Sequence, residues 1–248
     1  MDNETENKII ETIKTKKYIG VNELASIIFM SPSSVRRELS ALERKGLVTR
    51  THGGVKIIDS NNAVPNFVLR SHQNVLEKKI IALKAIKMIK EGDVIFLDGS
   101  TSSYFIADYL SEFKHITVIT NGIDTLSLLS HHNVNAYSTG GKISPENPSA
   151  LVGHYAESMI DSIHSNLAFF SCQSLNSEGV VSDCYEEENE IRKKMIKNTD
   201  KSVFLCDSTK LNRNSAHILC GINYVNAVVC DKDIRPNIKC ELKTELII

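Results

Sequence analysis

The chain contains no tryptophan, only five prolines, and aromatic residues at 6% of its 248 positions. That scarcity excludes collagen-like and proline-rich classes. No cysteine precedes position 172. The six that follow (Cys172, Cys184, Cys206, Cys220, Cys230, Cys240) form no C-x-x-C pair with a histidine pair at zinc-ligand spacing. Neither a disulfide framework nor a metal site is expected, and the thiols read as reduced and mostly buried. No apolar run approaches the ~18 residues of a membrane helix, and MDNETENKII lacks the basic-then-apolar order of a signal peptide. A soluble, cytoplasmic protein with no membrane partner is the expectation.

What is present is core-forming material: 42% hydrophobic residues and 24% charged, at a length where single cores begin to split near roughly 250 residues. Two domains are expected. The net charge of −1 conceals an asymmetry, because nine basic residues face three acidic ones between Lys14 and Lys56, a local +6 that leaves −7 elsewhere. Such a segment suits a polyanionic partner, although a solvated basic surface gives the same count.

Pattern separates these readings. Ile9, Ile10 and Ile13 space as one helix face, and Val21, Leu24, Ile27 and Ile28 repeat it after a break at Tyr18-Ile19-Gly20. Ser31 and Pro32 supply a cap and first turn for a third helix, whose Val35, Leu39 and Leu42 face inward and which Gly46 ends. LVTR and VKII then read as a hairpin around Thr51-His52-Gly53-Gly54. The result is a winged helix-turn-helix over residues 1–58. On its outward face, Arg36 and Arg37 are suited to base edges, Ser33 and Ser34 to phosphate at the helix start, and Ser40 lies on the same side. Arg50 and His52 in the wing would meet the backbone or minor groove.

Residues 59–73, polar and broken by Pro65, read as a linker. From 74 to 248, a helix over 76–89 precedes apolar runs (94–97, 116–120, 134–138, 167–170, 202–206, 226–230) that alternate with helical segments at 104–110, 125–129 and 187–196. His131 and His132 are placed in a loop. The alternation predicts a Rossmann-like, mainly parallel α/β domain. Small polar residues follow several strand ends: Asp98-Gly99-Ser100-Thr101-Ser102-Ser103, Asn121-Gly122, Gly140-Gly141-Lys142 and Asp207-Ser208-Thr209-Lys210. Open α/β sheets bind ligands at such ends. Lys210 supplies a cation for a phosphate or carbonyl oxygen, and Asp98, Asn121 and Asp207 suit sugar hydroxyls.

In this order, SPSSVRRELSALERKGLVTRTHGGV, Glu77-Lys78, Ile81-Ala82, GDVIFLDGST, TVITNG, Gly140-Gly141, LVG (151–153) and DSTK resemble the DeoR-type bacterial transcription regulators. These join a winged helix to a sugar-phosphate-sensing domain related to ribose-5-phosphate isomerase. The resemblance implies a non-enzymatic repressor of carbohydrate genes, released from operator DNA by a phosphorylated sugar and assembled as a homodimer or homotetramer. It places Asp98, Ser100, Thr101, Asn121 and Lys210 at the effector, with Gly141 and Glu188 also at family positions. Where the family commonly has Asp before an Ala-Phe strand and Gly after it, this chain has Asn166 and Ser171. An amide cannot serve as a general base. Two alternatives are an isomerase- or deaminase-like enzyme carrying a DNA-binding module, and a regulator whose second domain only oligomerises.

Overall fold

The computed structural model describes residues 3–44, 47–51, 54–57 and 67–248. The chain divides into two compact units, 1–72 and 73–248. Gly46, His52 and residues 59–66 of the expected linker lie outside the described residues.

In the first unit, α1 (Asn3–Lys16), β1 (Tyr18–Gly20), α2 (Val21–Ile28) and α3 (Pro32–Arg44) precede β2 (Val48–Thr51), β3 (Gly54–Ile57) and α4 (Phe67–Ser71). The apolar stripes meet in one core: Ile9, Ile10 and Ile13 of α1 pack with Leu24, Val35, Leu39, Leu42, Leu47 and Val55. Tyr18-Ile19-Gly20 is a strand rather than a break. It pairs antiparallel with β3, Ile19 opposite Val55, and gives a three-stranded wing in the order β1-β3-β2. Three residues are too few to show period-2 alternation, so only the pairing reveals them. Within the stretch read as a linker, α4 puts Leu69 into this same core.

The second unit comprises α5 (Val75–Ala85), β4 (Val94–Leu97), α6 (Thr101–Ala107), β5 (Thr117–Thr120), α7 (Ile123–His131), β6 (Ala136–Ser138), β7 (Lys142–Ile143), β8 (Leu151–Val152) and α8 (His154–Asp161). It continues with β9 (Ser165–Phe170), β10 (Ser174–Leu175), β11 (Val180–Asp183), α9 (Glu186–Lys197), β12 (Thr199–Cys206), β13 (His217–Gly221), β14 (Ala227–Cys230) and β15 (Glu245–Ile247). Seven strands form a parallel sheet in the order β15-β14-β12-β9-β4-β5-β6. Its inner strands are apolar throughout because both faces are covered. Ile95, Leu97, Leu167, Phe169, Val203 and Leu205 face the α5–α6 side, whereas Phe96, Ala168 and Ile119 meet Ala156 and Ile160 of α8 and Ile191 and Met195 of α9.

Chain order runs outward from β4 through β5 to β6, then returns to β9 on the other side of β4. The switch point between β4 and β9 is where open α/β sheets bind ligands. Several elements differ from the sequence reading. The helix at 76–89 is α5 followed by a 3-10 turn at Ile86–Met88, and His131 closes α7 instead of standing in a loop. A small antiparallel sheet, β10-β11-β13, and helix α8 were not foreseen. Of the free thiols, Cys172, Cys206 and Cys230 are buried while Cys184, Cys220 and Cys240 are partly exposed, fewer buried than expected.

Candidate DNA-binding face and sensor site

Helix α3 begins where the Ser31 hydroxyl accepts the Ser34 N–H at 3.1 Å, and the same oxygen lies 2.9 Å from the hydroxyls of Ser33 and Ser34. Because Val35, Leu39 and Leu42 turn inward, Ser33, Arg36 and Arg37 are exposed on the other side. Arg37 is 78% exposed, its Nε 3.6 Å from Glu38. Arg50 of β2 donates from Nη1 to Ser40 Oγ (2.8 Å) and from its backbone N–H to Glu43 Oε1 (3.1 Å). Ser40 in turn donates to the Arg36 carbonyl at 2.8 Å. Ser40 therefore brackets the wing against α3. A groove of about 420 Å³, lined by Asn22, Glu23, Arg36, Arg50 and Thr51 among others, runs beside this bracket.

In the second unit, the residues following β4, β5, β9 and β12 meet at one edge of the sheet. Asp98 is buried and fully engaged. Its Oδ1 accepts from the Ser100 N–H (3.2 Å) and the Ser103 hydroxyl (2.6 Å), and its Oδ2 from the Ser171 N–H (3.2 Å) and Arg192 Nε (2.9 Å). Arg192 also reaches Asp183 (3.0 Å), Asn189 (3.1 Å) and Glu188 (2.9 Å). Burial works against its charge, but Asp183, Asp98 and Glu188 outweigh that and hold the guanidinium protonated. The second oxygen of Glu188 accepts from Asn147 at 2.9 Å. Buried Cys172 lies within the field of these groups, and its thiol is pushed well up by desolvation.

Beside this cluster, Lys210 Nζ donates to Ser171 Oγ at 2.5 Å and stands 3.5 Å from Asp207 Oδ2. The Ser171 hydroxyl in turn donates to the Leu205 carbonyl. Asp207 caps the 3-10 turn at Ser208–Lys210 by accepting from the N–H and hydroxyl of Thr209. Burial raises its pKa, yet Lys210, Thr209 and Lys78 together bring it below the ordinary aspartate value. The Thr209 hydroxyl also accepts from Asn74 at 2.9 Å, immediately before α5.

On the β5 side, Gly99 and Gly122 let two loops approach. A Cβ on Gly122 would fall 2.9 Å from Thr125 Oγ1 and 3.1 Å from Gly99 Cα. Ser100, Thr101 and Ser102 are buried. Asn121 donates to the Leu151 carbonyl at 2.9 Å. Its Oδ1, together with Ser102 Oγ and Thr125 Oγ1, is buried without a hydrogen-bond partner. Buried polar atoms are paired in most proteins, so three orphans beside one strand-end cluster set this region apart.

Asp98, Gly99, Ser100, Thr101, Ser102, Asn121, Asp207 and Lys210 are thus gathered at the strand ends, with Glu188 joined through Arg192. Gly141 is apart from them. At φ +101 it packs against Val152 and Ala156, where a Cβ would fall 2.6 Å from a carbonyl oxygen. Asn166 stands at the opposite end of β9, accepting the Val94 N–H and donating to Asp200. Its departure from the family pattern therefore does not touch this site, whereas that of Ser171 does. Sequence reasoning missed Arg192 and Asp183 and named Lys78 only within a motif, without a role at the site. The i, i+4 spacing of Glu188 and Arg192 was the one local signal for the first. Among the described residues no group of His, Cys, Asp and Glu is placed to hold a metal ion, and no helix is long and apolar enough to cross a membrane.

A winged helix presenting arginines, in one chain with a parallel α/β unit whose strand ends hold unpaired polar atoms, defines a transcription regulator with a sensor domain. Residues 6–61 match the DeoR-like helix-turn-helix domain and residues 73–232 the DeoR C-terminal sensor domain, so the chain belongs to the DeoR family. It is 33% identical over 235 residues to the HTH-type transcriptional regulator YulB of Bacillus subtilis strain 168, covering 94% of this chain and 90% of YulB. It is 32% identical to the HTH-type transcriptional regulator GolR of Listeria innocua (93% and 91% covered) and 30% identical to the L-fucose operon activator of Haemophilus influenzae (94% and 94%).

Proposed function

We propose that this DeoR-family regulator is a cytoplasmic homodimer or homotetramer that represses carbohydrate-metabolism genes and leaves its operator when a phosphorylated sugar binds at the strand ends. The observation that carries the reading is the trio of unpaired buried atoms, Ser102 Oγ, Asn121 Oδ1 and Thr125 Oγ1, around the ends of β4 and β5 in the sheet whose β12 is followed by the Lys210 ammonium. Each unpaired group costs about 1–3 kcal/mol, which a ligand hydroxyl would relieve at Asn121 Oδ1 and a hydroxyl or phosphate oxygen at Ser102 and Thr125. The carbohydrate class is supported by the name of the Haemophilus relative, an L-fucose operon activator.

In this reading Ser100, Thr101, Ser102 and Asn121 surround the ligand, and Gly99 admits it. Asp98 shapes the loop, Asp207 orients Lys210, and Glu188 supports Asp98 through Arg192. Ser33, Ser34, Arg36, Arg37, Arg50 and His52 contact the operator, Ser40 holding Arg50. Occupancy is felt at Asn74, close to where the second unit begins, through its bond to Thr209. The coupling needed is ordinary, about 1–3 kcal/mol.

The test is operator binding at stated salt, using DNA from beside the protein's own coding region, with and without a panel of phosphorylated sugars. One sugar phosphate is expected to abolish specific binding, and Lys210→Ala to blunt that response while binding DNA. Specific binding that no sugar phosphate alters would leave a DNA-binding regulator whose second unit only assembles it.

A further inference from the structure

Ser171 occupies the end of β9, beside the switch point, and is 1% exposed. Its hydroxyl donates to Leu205 of β12 and accepts from Lys210, at 2.5 Å each, while its N–H donates to Asp98. A side chain carried just after β12 is thereby drawn across to the end of β9. With one Lys210 proton given to Ser171 and another turned toward Asp207, a single donor is left for a ligand.

The surroundings decide what that donor meets. Among the described residues, Asp98, Asp183, Glu188 and Asp207 outnumber Arg192, Lys210 and Lys78 on this side, and the negative balance disfavours a dianionic phosphate. The unpaired Ser102, Asn121 and Thr125 lie around the ends of β4 and β5. From β9 to β5 is two strand spacings, about 10 Å, the reach of an extended five- or six-carbon sugar phosphate.

Building on the effector reading above, we propose that Ser171 is a specificity-determining residue of the sensor site. It fixes the Lys210 ammonium where the carbonyl end of the sugar must lie, with the phosphate at the Ser102 and Thr125 hydroxyls and a sugar hydroxyl donating to Asn121 Oδ1. The site therefore discriminates sugar phosphates that share a phosphate end and differ at C1 and C2. A glycine here, as the family resemblance gives, would leave the ammonium with Asp207 alone and remove the discrimination.

The experiment measures ligand-induced thermal shifts of the full-length protein with D-glucose 6-phosphate against D-fructose 6-phosphate and D-ribose 5-phosphate against D-ribulose 5-phosphate. Wild type is expected to separate the members of at least one pair by roughly tenfold or more, the scale of one hydrogen bond to a charged group. Ser171→Gly and Ser171→Ala should bring that pair within about threefold, and Ser171→Thr should keep it apart. In the absence of ligand, labelling of Lys210 by an amine acylating reagent should rise in the Gly and Ala variants. A preference that survives both substitutions, or equal binding within both pairs by wild type, overturns the role of Ser171 and leaves the effector reading standing. Failure of wild type to bind any of the four, together with operator binding that no sugar phosphate of the wider panel alters, overturns the effector reading and this inference together.

Discussion

The Arg192 guanidinium meets the Asp98 carboxylate at 2.9 Å, between residues 94 positions apart whose side chains are 4% and 1% exposed. The contact ties α9 to the loop after β4. Through Asp183 and Glu188 the same guanidinium ties in β11 and the start of α9. One cation thus organises the floor beneath the strand-end site.

Removing that cation leaves three buried carboxylates facing one another. Arg192→Met should destabilise the second unit by about 3–5 kcal/mol, the usual cost of stripping one partner from a buried ion cluster. Urea unfolding followed on residues 73–248 within the full chain would show it. An unchanged midpoint would mean the carboxylates tolerate one another without the arginine.

Arg37 is exposed and serves no core contact, so Arg37→Ala should leave the unfolding midpoint in place. It should weaken specific operator binding by about 1–3 kcal/mol if the side chain reads a base. Arg50→Ala should act differently, because Arg50 is bound to Ser40 and Glu43 in the wing. A backbone role there predicts uniform weakening across sequences and a salt slope shallower by about one. Equal salt slopes for wild type and Arg50→Ala would reassign Arg50 to structure alone.

Asp207 titrates below the ordinary aspartate value although burial opposes its charge, because Lys210, Thr209 and Lys78 prevail. A folded-state pKa that is depressed contributes stability above the unfolded value and loses it as pH falls through the folded one. Stability should decline on acidification from about pH 4 downward. Lys210→Met removes the strongest favourable influence and should flatten this acid limb. Parallel acid limbs in both proteins would show that other carboxylates dominate the decline.

Burial pushes the Cys220 thiol up to about 11. Iodoacetamide reacts with the thiolate, so labelling of Cys220 should be slow at pH 8 and climb until about pH 11. Peptide mass spectrometry resolves it from the other cysteines. Labelling at pH 8 as fast as that of free cysteine would show an exposed, unperturbed thiol.

How much of this was legible beforehand follows the range of each interaction. Ser31, Pro32 and the Val35, Leu39, Leu42 stripe announced α3, and its outward arginines with it, because capping and helical periodicity are written within about ten residues. The inner strands of the parallel sheet were legible as apolar runs, since burial on both faces removes alternation. Asp98, Asn121, Asp207 and Lys210 were legible as polar residues just past such runs. Strand β1, at three residues, and the two-residue β7, β8 and β10 carry no readable period and exist through their partners.

Sequence alone settled the two-part plan, the winged helix, the parallel sheet and the family, because each rests on local periodicity or on contiguous motifs. Only the tertiary structure decided that Arg192 neutralises Asp98, that Ser171 holds Lys210, and that Asn166 stands at the far end of β9. Those relations join residues 39 to 94 positions apart, or separate neighbours on one strand by its full length. They depend on strand order and register, which set the positions of side chains that no local pattern brings together.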